Sequence, residues 1–161
     1  MVRAYGVPAH PDAPEHRELM ALVREQRVGG VVLFASELDT VPVLLDELQR
    51  AAAVPLLVAA DLERSLSFRV REGPVALPSA MAIGATRSEE AARFAGELTA
   101  REGRAVGIHW ALAPVADVNS NPANPVINLR SFGEDPELVS RLVAAWVAGA
   151  RAGGILTTAK H

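Results

Sequence analysis

Short apolar runs without polar alternation recur along the chain. Continuous apolar runs of this length are typical of strands that are buried on both faces, as in a parallel sheet. They predict four clear strands, at residues 30–34, 55–61, 106–111 and 154–161.

Helical patterns with start and stop signals lie between these runs. Apolar residues recur on one helix face, with capping residues, Pro and Gly at the ends. The alternation of helices and strands predicts an α/β fold with a parallel sheet. The predicted helices are about Pro14 to Val28, a segment after Thr40 with Pro42 in its first turn, a segment from near Ser88 to Gly103, and a segment with Asp135 as N-cap, Pro136 at its first position and Gly153 at its end.

Two long loops rich in turn-forming residues follow predicted strands. One runs from about Leu62 to Gly84 and the other from Asp117 to Glu134. Both therefore lie at the carboxyl ends of the strands, which is the active face of barrels and doubly wound sheets. Lys160 and His161 end another strand on the same face. We expect the functional site there, because long ordered loops in a small domain are usually functional.

Four strands are too few to close an eight-stranded barrel. The last predicted strand is also followed by no helix that could cover it. The pattern alone therefore allows two architectures, a small open α/β domain or an incomplete barrel.

Composition narrows the classes of function. The absence of cysteine removes disulfides, thiolate chemistry and cysteine-ligated metals. The net charge of -3 gives no reason to expect nucleic acid or a membrane surface as a partner, and no apolar run approaches the roughly 20 residues of a membrane span. We expect a cytoplasmic protein by default, or a periplasmic or secreted one if a leader has been trimmed. With aromatics at 4%, the core must be built from Val, Leu and Ala, and the oligomeric state stays open.

Three histidines and one aspartate are assigned structural roles. His109 lies within a predicted strand, where we expect a core or barrel-lining side chain. His10 and His16 are expected at the surface, and Asp117 is expected to orient its loop.

Several segments together resemble the N-terminal domain of glycoside hydrolase family 3. Each is a modest signal, but their order and spacing agree with the family and they span nearly the whole chain. They are Gly29–Phe34 (an early strand), Pro55–Asp61 with Glu63 (the Asp-x-Glu motif), Leu77–Thr86 ("LPSAMALGAT"), Ala113–Asn119 ("APVxDVN"), Asn121–Pro136 ("NPxNPVIxxRSFGxDP") and Ala159–His161 (the start of "AKHFPGHG").

The resemblance implies an incomplete (β/α)8 barrel of TIM type. Residues 1–161 would be one partial catalytic domain, truncated at the C-terminus and also at the N-terminus, because the family generally places a strand before the segment that begins this chain. The implied reaction is release of a terminal β-linked sugar from the non-reducing end with retention. The Asn-Pro-x-Asn-Pro and Ala-Lys-His segments favour N-acetylglucosamine as that sugar, with a β-glucosidase as the alternative. No cofactor or metal is implied.

The resemblance also assigns substrate-binding roles. Asp61 would accept hydrogen bonds from sugar hydroxyls, because a carboxylate can take two of them at once. Arg69 and Arg130 would offer rigid forks of donors, and Lys160 and His161 would contact hydroxyls on the pocket floor. The structural alternatives are a cap for Asp61 and solvated side chains for the others.

The chain departs from the family in two ways. Family members usually read Asp-x-Glu-Gly-Gly-Arg, whereas Arg64 and Ser65 replace both glycines here. Because glycine permits positive φ, we expect another loop path and a weaker case for Arg69. The nucleophile and the acid/base of a retaining glycosidase would lie beyond His161, so we expect the isolated chain to be inactive. A non-catalytic sugar-binding or structural α/β module is the alternative from another class.

Overall fold

The computed structural model describes residues 1–8 and 10–161. Strands and helices alternate along the chain, as the apolar pattern predicts. The strands and helices are β1 (Val2–Tyr5), α1 (Pro14–Arg24), β2 (Gly30–Phe34), β3 (Ser36–Glu37), α2 (Val41–Ala51), β4 (Leu57–Ala60), β5 (Val70–Arg71), α3 (Ala80–Ala85), α4 (Glu89–Ala105), β6 (Trp110–Ala111), α5 (Pro136–Ala152) and β7 (Leu156–Thr157).

The main sheet contains five strands in the described part of the chain, in the order β1-β2-β4-β6-β7. All neighbouring strands pair in parallel. A small second sheet pairs β3 with β5, also in parallel. The predicted α/β fold with a parallel sheet is therefore confirmed, and every carboxyl end of the main sheet points to the same edge.

The sequence did not predict the first strand. Val2–Tyr5 pairs with β2 in the register Val2↔Val31. Its side chains alternate between buried and exposed, so this short edge strand lacks the continuous apolar run that indicated the other strands. A strand therefore precedes the first matching segment within the chain.

Other predicted elements are shorter than their apolar runs. The segment 106–111 contributes only Trp110–Ala111 to the sheet, because Val106 ends α4 and Gly107 turns with a φ of +93°. Helix α1 ends at Arg24, since Arg27 takes a left-handed φ of +49° that a helix cannot continue. The predicted loop 62–84 also contains regular structure, namely β5 and most of α3.

The core consists of Val, Leu, Ile and Ala with few aromatic side chains, as the composition predicts. Helices α4 and α5 approach closely through two glycines. A Cβ atom on Gly96 would overlap the carbonyl of Trp146, and one on Gly149 would overlap the carbonyl of Arg93. This contact stabilises the layer of helices behind β6 and β7.

The histidines divide between the core and the surface. His10 is exposed, as expected, but the surface prediction for His16 is wrong, because it is 5% exposed. His16 lies on the inner face of α1, and its Nε2 is 2.7 Å from Oε2 of Glu47 on α2. His109 is half-buried, and its Nδ1 accepts the backbone N–H of Val58 at 3.2 Å. Burial and the charge of Arg104 lower the pKa of His109.

Candidate functional site

Polar side chains from distant parts of the chain meet at the carboxyl edge of the main sheet. Asp61 directly follows β4, and Lys160 follows β7. A parallel backbone bridge between Lys160 and Val115 extends the pairing beyond β7 and fixes the position of the lysine. Arg130 ends a 3-10 helix, Asn128–Arg130, within the loop 117–134. The parallel sheet therefore brings these residues together, as the sequence predicts.

Asp61 accepts hydrogen bonds from two cations. Nζ of Lys160 donates to its Oδ1 at 2.6 Å, and Nη2 of Arg69 donates to its Oδ2. The side chain of Asp61 keeps 17% of its surface exposed. It is therefore not a cap for a helix or turn, and its carboxylate remains accessible from the cleft.

Glu63 is the site residue that the sequence reasoning missed. Nε and Nη2 of Arg130 donate to its two carboxylate oxygens, each at 2.9 Å. Nζ of Lys160 lies 2.9 Å from its Oε1, and only 8% of the Glu63 side chain is exposed. Its place two residues after Asp61 was the available signal, because alternate residues of an extended segment point the same way.

His161 and Asp117 extend this network. Asp117 Oδ2 accepts from the backbone N–H of His161 at 3.1 Å and lies 2.8 Å from ring Nδ1. Ring Nε2 of His161 lies 3.1 Å from Nη2 of Arg130. Asp117 therefore does more than orient its own loop, because it contacts a predicted binding residue directly.

Arg69 lies at the site although Arg64 and Ser65 replace the two family glycines in the loop that leads to it. Ser65 takes the conformation φ +66°, ψ −167°, which glycine adopts far more readily than other residues. Its buried hydroxyl donates to the carbonyl of Val75. The guanidinium of Arg69 lies 5.0 Å from the ring centre of Phe34 and 4.8 Å from that of Phe68, within range of cation–π attraction. With Arg64 and Ser65 in place of both family glycines, Arg69 therefore still contacts the carboxylate of Asp61.

The Arg-Ser-Phe-Gly segment anchors the second loop. Ser131 is fully buried, and its hydroxyl donates to the carbonyl of Asp117 at 2.6 Å. Phe132 is 3% exposed and lies so close to α3 that a Cβ on Gly84 would overlap its carbonyl. These contacts fix the residues on either side of the loop, so Arg130 and Asp117 are held in place relative to each other.

The charges of the site are balanced. Three carboxylates (Asp61, Glu63 and Asp117) face three basic side chains (Arg69, Arg130 and Lys160). Burial alone would raise the pKa of Asp61, but hydrogen bonds and charge from Lys160 and Arg69 outweigh it, so the pKa lies below the ordinary 3.8. Burial also opposes ionisation of Glu63, yet Arg130 and Lys160 hold its pKa below 4.5. The hydrogen bond with Glu63 in turn raises the pKa of Arg130. Asp61 and Glu63 are therefore ionised at neutral pH.

These side chains surround an open cleft of about 460 Å³. Phe68 and Leu112 form an apolar wall of the cleft. The five predicted binding residues line the rest of it together with Glu63 and Thr158. Within residues 1–8 and 10–161, no group of three or more metal-binding side chains is arranged to hold a metal ion. In the same described ranges, no helix is both long and apolar enough to cross a membrane.

The sequence matches the model of the glycosyl hydrolase family 3 N terminal domain over residues 6–161. It is 39% identical over 140 residues to a β-N-acetylglucosaminidase/β-glucosidase from Cellulomonas fimi, and this match covers 87% of the chain and 25% of that protein. It is 36% identical over 156 residues to β-hexosaminidase A from Pseudoalteromonas piscicida, and this match covers 89% of the chain and 26% of that protein. The chain therefore belongs to glycoside hydrolase family 3.

Solved structures agree with this membership. The fold superposes on a glycoside hydrolase family 3 β-N-acetylglucosaminidase from Paenibacillus sp. str. FPU-7 with a TM-score of 0.88 and 36% identity. The match covers 99% of this chain and 31% of that one. The predicted family and the predicted part of a family 3 barrel are thus confirmed. The chain spans about a quarter to a third of the length of these three proteins.

Proposed function

We propose that residues 1–161 supply the sugar-binding part of a family 3 glycosidase. The whole protein would release a terminal β-linked sugar from the non-reducing end with retention. N-acetylglucosamine is the proposed sugar, and glucose is the alternative. The observation that carries the proposal is the interleaving of hydrogen-bond acceptors and donors in the cleft around Asp61.

Asp61 has acceptor capacity to spare. A carboxylate has about four lone-pair positions. Among the described residues, Lys160 and Arg69 occupy one position on each oxygen. Two positions therefore remain for hydroxyl groups of a ligand, and the lowered pKa keeps the carboxyl group ionised, so that both oxygens can only accept.

Spare donors lie beside these acceptors. Lys160 has three N–H groups, of which Asp61 and Glu63 take two within the described chain. The Nε–H of Arg69 also has no hydrogen-bond partner among residues 1–8 and 10–161, but it is buried, so the donor within reach of a ligand is that of Lys160. A ligand that satisfies such a cleft must donate and accept at neighbouring positions. Sugar hydroxyls do both, whereas a carboxylate only accepts and an ammonium only donates.

The apolar wall suits the same ligand. Phe68 and Leu112 line one part of the cleft and the charged groups line another. Ligand sites commonly combine apolar walls with a few placed polar groups that fix orientation. The C–H groups of a pyranose would pack on the wall while its hydroxyls reach Asp61, Lys160 and Arg130, and His161 would accept from a hydroxyl at Nε2.

The bond-breaking groups would come from elsewhere in the protein. Retention requires a nucleophile and a group that transfers the proton. Asp61 and Glu63 are committed to cations, and Asp117 is committed to His161. We therefore infer that residues 1–161 are a partial barrel domain whose catalytic pair lies beyond His161. This assignment is supported by the greater length of the relatives, since the chain covers 25% of the Cellulomonas fimi protein. The name of that protein, β-N-acetylglucosaminidase/β-glucosidase, supports the choice of N-acetylglucosamine with glucose as the alternative.

An NMR-monitored titration tests this proposal. We expect the folded chain to bind methyl N-acetyl-β-glucosaminide and, more weakly, methyl β-glucoside. Asp61→Asn should weaken binding about tenfold or more, because a hydrogen bond to a charged group contributes about 1.5–3 kcal/mol. Asp46→Asn is the matched control, since Asp46 forms an exposed pair with Arg50 on α2.

Two results would contradict the proposal. One is a folded chain whose spectrum does not respond to either sugar. The other is an equal loss of affinity in the Asp46 variant. Turnover of an aryl β-glycoside by the 161-residue chain would contradict the assignment of the catalytic pair to the rest of the protein.

A further inference from the structure

The ring of His161 lies between two groups of opposite hydrogen-bonding character. Its Nδ1 faces Oδ2 of Asp117 at 2.8 Å, and its Nε2 faces Nη2 of Arg130 at 3.1 Å. An ionised carboxylate oxygen accepts hydrogen bonds and cannot donate them, whereas a guanidinium nitrogen donates hydrogen bonds and cannot accept them. The two neighbours together therefore determine where the ring carries its proton.

One protonation state satisfies both contacts. A neutral ring with its proton on Nδ1 donates to Asp117 and accepts from Arg130. The other neutral form would place an N–H against the guanidinium and a lone pair against the carboxylate. A doubly protonated ring would keep the contact with Asp117 but would oppose two donors at Nε2. The geometry selects the neutral Nδ1–H form.

Asp117 itself is held from two sides. Its carboxylate also accepts the backbone N–H of His161, so ring and backbone are fixed by one oxygen. Its backbone carbonyl accepts the buried hydroxyl of Ser131, next to Arg130 in the chain. The donor and the acceptor sides of the imidazole are therefore both fixed by the same loop, residues 117–134.

We infer that Asp117 is a positioning residue of the sugar site. By accepting from Nδ1, it makes Nε2 of His161 a hydrogen-bond acceptor that faces Arg130. The contact with Nε2 orients the guanidinium that holds Glu63, and Glu63 in turn binds Lys160. A hydroxyl that reaches Nε2 must donate to it in place of the Arg130 N–H. This inference rests on the proposed sugar-binding function, although the protonation of the ring does not depend on any ligand.

Nitrogen-15 NMR of the histidine rings tests the protonation directly. Asp117→Asn keeps an acceptor oxygen for Nδ1–H, whereas Asp117→Leu removes it at similar volume. We expect the wild-type chain and the Asn variant to carry the proton on Nδ1 of His161, with the signals assigned through a His161→Gln variant. The Leu variant should lose this form and bind methyl N-acetyl-β-glucosaminide about tenfold more weakly, as for one lost hydrogen bond. The Asn variant should bind within about twofold of wild type.

The outcomes separate the two ideas. If the wild-type chain is folded but binds no sugar, the proposed function is wrong. If it binds sugar while the His161 proton resides on Nε2, or while the Leu variant binds as tightly as wild type, the positioning role of Asp117 is wrong. An unfolded Leu variant would leave the decision to the wild-type ring signals and to the Asn variant, which must then match wild type in both proton position and affinity.

Discussion

Arg130 and Glu63, which are 67 positions apart in the chain, form two parallel hydrogen bonds of 2.9 Å each. This pair joins the loop after β4 to the loop after β6. The Glu63 side chain is 8% exposed and the Arg130 side chain 32% exposed, so solvent screens the pair only in part. The pair therefore links the two loops that supply most of the cleft.

Replacing Glu63 tests this link. Glu63→Gln should lower the free energy of unfolding by about 2–3 kcal/mol, because Arg130 loses its paired carboxylate in a largely buried place and Lys160 keeps only Asp61. Urea denaturation measures this change. Asp46→Asn breaks an exposed pair and should change stability by less than about 0.5 kcal/mol, so equal losses in the two variants would argue against a structural role for the buried pair.

The conformation of Ser65 predicts an ordering of two variants. Ser65→Ala and Ser65→Gly both remove the hydroxyl that bonds to Val75, but only glycine relieves the strain of φ +66°. The Gly variant should therefore be more stable than the Ala variant by about 1–2 kcal/mol. Thermal denaturation of the two variants gives the comparison, and a more stable Ala variant would show that the loop carries no strain there.

Acid should destabilise the chain through Asp61 and Glu63. The pKa of each carboxyl is lower in the folded protein than its ordinary value of 3.8 or 4.5, so the unfolded chain binds protons first. Their contribution to stability is complete above about pH 4.5 and is lost as the pH falls through the lowered values. Urea denaturation between pH 7 and pH 3 measures this loss. In an Asp61→Asn, Glu63→Gln double variant the loss over that range should be smaller, and an unchanged slope would assign it to other carboxyls.

The α4–α5 contact predicts the effect of one added methyl group. Gly96→Ala places a Cβ against the carbonyl of Trp146 and should cost about 1–3 kcal/mol of stability. Gly29→Ala is a matched control, because a Cβ there meets no atom within 4 Å, and its effect should be below about 0.5 kcal/mol. Differential scanning calorimetry of both variants is the measurement. Similar transitions for the two would show that the helices can separate at little cost.

Sequence patterns predicted this fold where local signals agree with burial. The run Gly30–Phe34 is a strand with the predicted bounds, and Ser88 and Asp135 cap their helices through side-chain hydrogen bonds to Ala91 and Glu137. β1 escaped prediction because an edge strand with exposed alternate residues has no continuous apolar run. His16 was misplaced because its burial depends on Glu47 from another helix, which no local pattern contains.

The site was likewise predictable in most of its residues but not in the contacts between distant parts of the chain. All five binding residues that the resemblance to the family supplied lie at the cleft, but Glu63, which also lines it, was not among them. What the resemblance could not supply is the partner of each residue. The bonds from Glu63 to Lys160 and from Asp117 to His161 join segments 97 and 44 positions apart, and only the parallel sheet sets those distances.

The balance of charge in the cleft has a consequence for ionic strength. The cations already have carboxylate partners, so the cleft presents little net field to a ligand that approaches through solvent. Dissolved salt screens long-range attraction between net charges and has little effect on short contacts in a partly buried site. A neutral sugar would therefore bind with nearly the same affinity in dilute buffer and in concentrated salt, and an anionic or cationic ligand would gain no electrostatic advantage in reaching the cleft.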